Sequence, residues 1–240
     1  MRKFALITLL LSLAVCTTVQ AQIQYPNLYK KWEVAGLFGA AFVGDVSSET
    51  PVEGQDMSRP VGLDYSSGFL LGVRLTQNLK GKMGAELDYT YANQPLTFLN
   101  LSPTIPKLGV SHRVHSFVYS ILYYFGDRNS RLRPFVSVGA GASLFQIDGA
   151  SKFEALGPGV DLNDTWKFVG SFGGGVKYMI NESIGVRFDA RDLLSGVPSY
   201  SLPSTSSVDD DGTIGPAFRP NGILSDWQFS GGVFFTWGGP

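Results

Sequence analysis

Runs of alternating apolar and polar side chains recur along the chain, and the apolar row of each run is free of charge. One parity gives Phe69, Leu71, Val73 and Leu75, and then Met83, Ala85, Leu87, Tyr89 and Tyr91. Val136, Val138, Ala140, Ala142 and Leu144 follow, and after them Trp166, Phe168, Phe172, Val176 and Tyr178. Ile184, Val186, Phe188 and Ala190, with Trp227, Phe229, Val233, Phe235 and Trp237, complete the pattern. The opposite parity collects Glu33, Arg74, Glu86, Asp88, Lys167, Lys177, Arg187, Asp189 and Arg191, five basic and four acidic residues. Side chains alternate across a strand with period two, so each run is a strand with one apolar face and one charged face. FVYSILYYF (117–125) is apolar on both parities. Placing Ser116 and Ser120 on the polar face puts Phe117, Tyr119, Ile121, Tyr123 and Phe125 on the apolar one.

Eight strands are predicted, at 32–44, 67–78, 83–93, 110–126, 133–147, 165–180, 183–195 and 226–238. Their connections alternate in length. LKGK, DRNSRL and Asn181-Glu182 are short, whereas 45–66, 94–109, 148–164 and 196–225 are long. The 29 glycines and 13% aromatic content favour β structure over helix. A soluble β-sandwich would also alternate, with its apolar rows facing one another, but it does not require this rhythm of connections. Alternating long and short links between strands of about ten residues or more predict an eight-stranded antiparallel up-and-down transmembrane β-barrel. It would have four long external loops and short periplasmic turns. The apolar rows would face lipid, and the charges would face an interior just wide enough for side chains to fill. Trp166, Tyr178, Trp227 and Trp237, near strand ends, would be the interface aromatics. Asp192 falls on the lipid-facing parity and is expected to mark where its strand leaves the apolar band.

The N-terminus reads as a signal peptide over residues 1–21, followed by one barrel domain over 22–240. Arg2 and Lys3 precede the apolar stretch 4–15, and Val19-Gln20-Ala21 supplies small residues at a cleavage site after Ala21. That apolar stretch is shorter than the roughly 20 residues of a spanning helix. LAVC (13–16) offers an alternative in which Cys16 is lipidated. Ordinary cleavage instead removes Cys16, the single cysteine, and with it disulfides and thiol chemistry. No later stretch reaches the length of a transmembrane helix, so a membrane-spanning form of this chain is a closed barrel. A net charge of −1 without a basic block leaves no electrostatic footprint for nucleic acid.

RPFVSVGAGASLF (133–145), FGGGVKYMINESIGVRFDARDLL (172–194) and FSGGVFFTWG (229–238) resemble the small outer-membrane β-barrels of Gram-negative bacteria, the OmpA/OmpX/OmpW-like group. The resemblance covers essentially the whole chain after the signal peptide. It implies residence in the outer membrane, contact with outer-membrane lipid and lipopolysaccharide, and insertion by the barrel-assembly machinery. Chains of this group usually finish on an aromatic residue, whereas here Gly238-Gly239-Pro240 follow Trp237.

Charges enclosed in so narrow a barrel lose hydration and are expected to be paired. Strand neighbourhood brings Arg74 near Glu86 and Asp88, and Lys177 near Arg187 and Asp189. The set reads as a packed ionic core that plugs the lumen, and alternatively as a narrow pore for ions or small solutes. His112 and His115, three apart on a strand, point to opposite faces and cannot share a metal. A lipid-modifying barrel enzyme would draw on Ser111, His115 and Ser116, but no G-x-S-x-G element accompanies them. Gly173–Gly175 lack the Lys-Ser/Thr and helix of a phosphate loop. Asp209, Asp210 and Asp211, with Asp226 beyond, lack EF-hand spacing and read as a solvated loop. The expectation is therefore a barrel with no catalytic residues, cofactor or metal. Its role would be structural or in surface interaction, with a possible surface ligand held by the long loops.

Overall fold

The computed structural model describes residues 28–44, 62–102, 105–148, 163–200 and 222–239. Ten strands are present: β1 (Trp32–Val43), β2 (Gly62–Tyr65), β3 (Gly68–Asn78), β4 (Met83–Asn93), β5 (Leu96–Ser102), β6 (Ile105–Tyr124), β7 (Leu132–Asp148), β8 (Thr165–Met179), β9 (Ile184–Gly196) and β10 (Ile223–Trp237). Eight of them close a barrel in the order β6-β4-β3-β1-β10-β9-β8-β7, with β7 returning to β6. Every pairing is antiparallel. The period-two pattern orients the wall. Phe117, Tyr119, Ile121 and Tyr123 are about half exposed on the outside, while Ser116 and Ser120 are buried inside.

The two remaining strands lie where the sequence predicts only connections. β2 pairs with β5, and β5 with the first part of β6, building a small sheet beyond one end of the barrel. The proline content of 94–109 reads as loop, yet Leu63, Leu96, Phe98 and Val110 alternate with more exposed neighbours and bury themselves. Burial of that row outweighs the local propensity, and β6 consequently starts at Ile105.

The links after β3, β6 and β8 lie at one end of the barrel, together with the start of β1 and the end of β10. This turn end is made of tight links, and in the first of them Gly81 has φ +75°, a conformation that glycine adopts without strain. At the opposite, loop end, Leu63, Leu70, Phe98, Val110 and Tyr200 belong to one apolar cluster inside the barrel mouth. A second cluster, Leu28, Tyr29, Ala35, Leu37, Met179 and Phe234, fills the turn end. Asp192 lies on the outer row, opposite Trp227 and Phe172, with the Ser225 hydroxyl donating to its carboxylate at 2.8 Å. β9 runs on to Gly196.

Candidate functional site

The interior is stacked in layers. At its centre three arginines meet three carboxylates. Arg187, Asp189 and Arg191 project from one face of β9 at a spacing of two, as strand geometry dictates. Arg74 on β3 lies directly across from Asp88 on β4, with Thr76 across from Glu86. Arg187 grips Asp189 with two bonds of 2.9 Å and reaches Glu86 at 2.9 Å. Arg191 donates to Glu86 and, at 3.3 Å, to Asp88. Arg74 lies 2.9 Å from both Asp88 and Asp189. Thr76 donates to Glu86 at 2.7 Å. All six charged groups are 5% exposed or less. Because β9 stands across the lumen from β3 and β4, this cluster ties opposite walls together.

The neighbouring strand makes room for it. Gly173 on β8 pairs with Arg191, and a Cβ there would sit 2.9 Å from the arginine Cγ and 2.3 Å from the Ala190 carbonyl oxygen. Glycine at this position therefore lets Arg191 lie close against the sheet. Farther round the lumen, the Ser116 hydroxyl on β6 is 2.8 Å from that of Ser143 on β7.

Toward the turn end, Lys177 makes its ion pair with Glu33 at 2.5 Å and a hydrogen bond to the Tyr124 hydroxyl at 3.0 Å. Arg187 stands opposite Lys177 in register, but the carboxylate partner comes from β1. The sequence brings Lys177 near Arg187 and Asp189, but Asp189 is already engaged by Arg74, Arg187 and Arg191. Charge alternation alone does not single out Arg133, Asn78 or Tyr124, yet all three complete this layer. Arg133 donates to Asn78 Oδ1 at 3.0 Å, and its guanidinium stacks 3.5 Å from the Tyr124 ring centre. The parity of the Val136 row already places Arg133 on the inner face. Tyr29, ahead of β1 and fully buried, closes the layer by donating to the Arg131 carbonyl at 3.0 Å. Burial, reinforced by the nearby Glu33 carboxylate, pushes its hydroxyl well above the usual tyrosine range.

At the loop end a chain of polar contacts runs down from Tyr65. Its hydroxyl meets that of Tyr200 at 3.1 Å, Tyr200 meets His112 Nε2 at 3.0 Å, and His112 Nδ1 faces the Gln94 carbonyl at 3.2 Å. Gln94 and Gln228 each donate to Asp226 at 2.8 Å. Tyr200 takes a positive φ of 52°, so local strain accompanies its insertion into the mouth. Between this cap and the arginine cluster lies a cavity with room for about one water molecule, lined by Ser116, Ser143, Leu193 and Asp226 among others.

Other candidates are dispersed. Lys167 faces inward, half-buried, and makes no ion pair with the cluster among the described residues. His112 is buried inside, while His115 faces outward and shares a hydrogen bond of 2.9 Å with the Tyr89 hydroxyl. Ser116 faces the lumen, so Ser116 and His115 lie on opposite sides of the wall. Among the described residues no group of acidic, histidine or cysteine side chains is arranged to hold a metal. Asp209, Asp210, Asp211 and the signal-peptide segment lie outside the described residues. On the outer face Trp166 and Trp227 are exposed near the loop end, and Tyr178 and Trp237 near the turn end.

A model of the outer membrane protein beta-barrel domain matches residues 7–213. No curated protein matches the chain. Among solved structures it is similar to the outer membrane protein OprG from Pseudomonas aeruginosa, at 20% identity and a TM-score of 0.54, over 89% of this chain and 98% of that one. Outer membrane protein AlkL in lipid bilayers is similar at 16% identity and 0.53, over 92% of this chain and 95% of that one. Neisserial surface protein A is similar at 13% and 0.52, over 86% and 97%. These likenesses carry the fold. With the closed eight-stranded wall and the match over most of its length, the chain belongs to the outer membrane protein beta-barrel family and resides in the outer membrane.

Proposed function

We propose that this barrel serves the outer membrane as a structural and surface-interaction element rather than as an open pore or an enzyme. One observation carries the reading: the lumen is obstructed in successive layers by the Tyr200 cap, the six-residue ionic cluster and the Tyr29 layer. With the interior occupied, the outer wall and the long loops are left to make contacts. The wall meets lipid, including lipopolysaccharide in the outer leaflet, with Trp166, Trp227, Tyr178 and Trp237 as its interface aromatics. The long loops are the place for a surface ligand, since binding specificity concentrates in loops on a rigid scaffold. In this reading residues 1–21 are removed as a signal peptide, and the barrel-assembly machinery inserts the rest.

Purified protein in a planar lipid bilayer is the test. The expected record is free of stable conductance steps, from protein that shifts in SDS gel mobility on heating. Regular single-channel steps from such heat-modifiable protein would instead establish the pore reading.

A further inference from the structure

The charge of this molecule is divided between its two ends. By sequence, the four long connections (45–66, 94–109, 148–164 and 196–225) hold twelve acidic and four basic residues. The turn end, which faces the periplasm, is the reverse. Lys30, Lys31, Lys80, Lys82, Arg128 and Arg131 stand there against Asp127 and Glu182. Lys31, Lys80 and Lys82 are exposed and, among the described residues, form no ion pair. Arg128 is held inward by the carbonyls of Asn78 and Leu79, and Lys30 by the Ser183 hydroxyl.

The position of these cations decides what they face. Leu79 and Met83, both exposed, bracket Lys80 and Lys82, and Lys31 immediately precedes Trp32 at the lower edge of the wall. Phe125, Leu132, Ile180, Phe235 and Trp237 complete an apolar rim at the same level. Each lysine therefore begins where the lipid-facing band ends. A four-residue link such as 79–82 projects no more than about 7 Å past the strand ends, so its charges stay at headgroup depth. Lysine stems lie along apolar surface while the ammonium seeks the polar layer.

We infer that this lysine collar binds the phosphate headgroups of anionic phospholipids, phosphatidylglycerol in chemical class, in the periplasmic leaflet. The tight turns favour headgroups over the cell wall, which lies farther from the strand ends than these links reach. A lysine near an anionic surface contributes about fivefold in dilute salt, and the effect fades as salt screens it.

The tryptophans supply the probe. Trp32 and Trp237 lie at the collar, and Trp166 and Trp227 at the far end, so a full-length Trp166→Phe/Trp227→Phe protein reports on the collar alone. Its fluorescence is quenched in bilayers that contain phosphatidylglycerol or phosphatidylcholine with brominated chains. The expected result is a preference for phosphatidylglycerol of about fivefold or more in dilute salt, falling toward unity in concentrated salt. Adding Lys31→Gln, Lys80→Gln and Lys82→Gln should abolish the preference while heat-modifiable mobility is kept. Equal quenching by the two lipids, or a preference that survives the three substitutions, overturns the proposal. So does salt-sensitive cosedimentation with purified peptidoglycan that requires the same lysines in a protein showing no lipid preference.

Discussion

Glu86 receives Thr76, Arg187 and Arg191 and lies 3.7 Å from Arg74, so one carboxylate touches all three arginines of the cluster. Removing a single partner from such a buried network leaves charges that neither water nor protein compensates. Glu86→Gln should therefore cost about 3–5 kcal/mol, read as a lowered urea midpoint in detergent micelles. Asp88→Asn should cost less, because Asp88 is shared only by Arg74 and Arg191. A loss from Asp88→Asn equal to that from Glu86→Gln would mean that the cluster has no centre. Backbone clearance sets a second residue-scale limit. Gly173→Val would press a side chain into the Ala190 carbonyl and Arg191, whereas a Cβ at Gly170 meets nothing within 4 Å. Gly173→Val should sharply reduce the heat-modifiable fraction, and Gly170→Val should leave it unchanged.

Among the elements, the segment 28–31 ahead of β1 behaves as a stopper, anchored by Tyr29. Its raised hydroxyl pKa means that the folded state keeps a proton the unfolded chain gives up near pH 10. Docking of this segment is therefore fully stabilising below that pH and weakens as the pH rises above it. Urea midpoints measured from pH 8 to 11 should fall more steeply for the native protein than for Tyr29→Phe, which keeps the buried ring and has nothing to ionise. Parallel curves would show that Tyr29 is not the group responsible. At this scale the sequence is also most unevenly legible. The eight wall strands show because lipid on one side and a polar lumen on the other impose period two on each of them. β2 and β5 carry no lipid-facing row, and their order comes from packing Leu63, Leu96 and Phe98 against Val110 and Tyr200. Alternation likewise puts Glu33 and Lys177 on the inner face without pairing them, since β1 and β8 meet only across the lumen.

For the whole molecule, the layers act as barriers in series, and a current through them is limited by the tightest. The Tyr200 cap and the Tyr29 stopper come from segments outside the barrel wall, so each can be emptied without touching a wall strand. The ionic cluster lies between them. The arginine cluster joins β9 to β3 and β4 across the full width of the lumen, and its charges are buried too deeply for mobile ions to screen them. Tyr29→Ala/Tyr200→Ala, with both ends opened, should thus remain silent in a planar bilayer even in about 1 M KCl, where surface ion pairs are screened within about 3 Å. Adding Arg187→Ser and Arg191→Ser removes two of the three cations that cross-link the walls. It leaves Glu86, Asp88 and Asp189 with Arg74 alone, so any conductance that appears should favour cations. Steps already present in the variant opened only at its ends would place the seal in the caps and assign the ionic cluster a purely structural part.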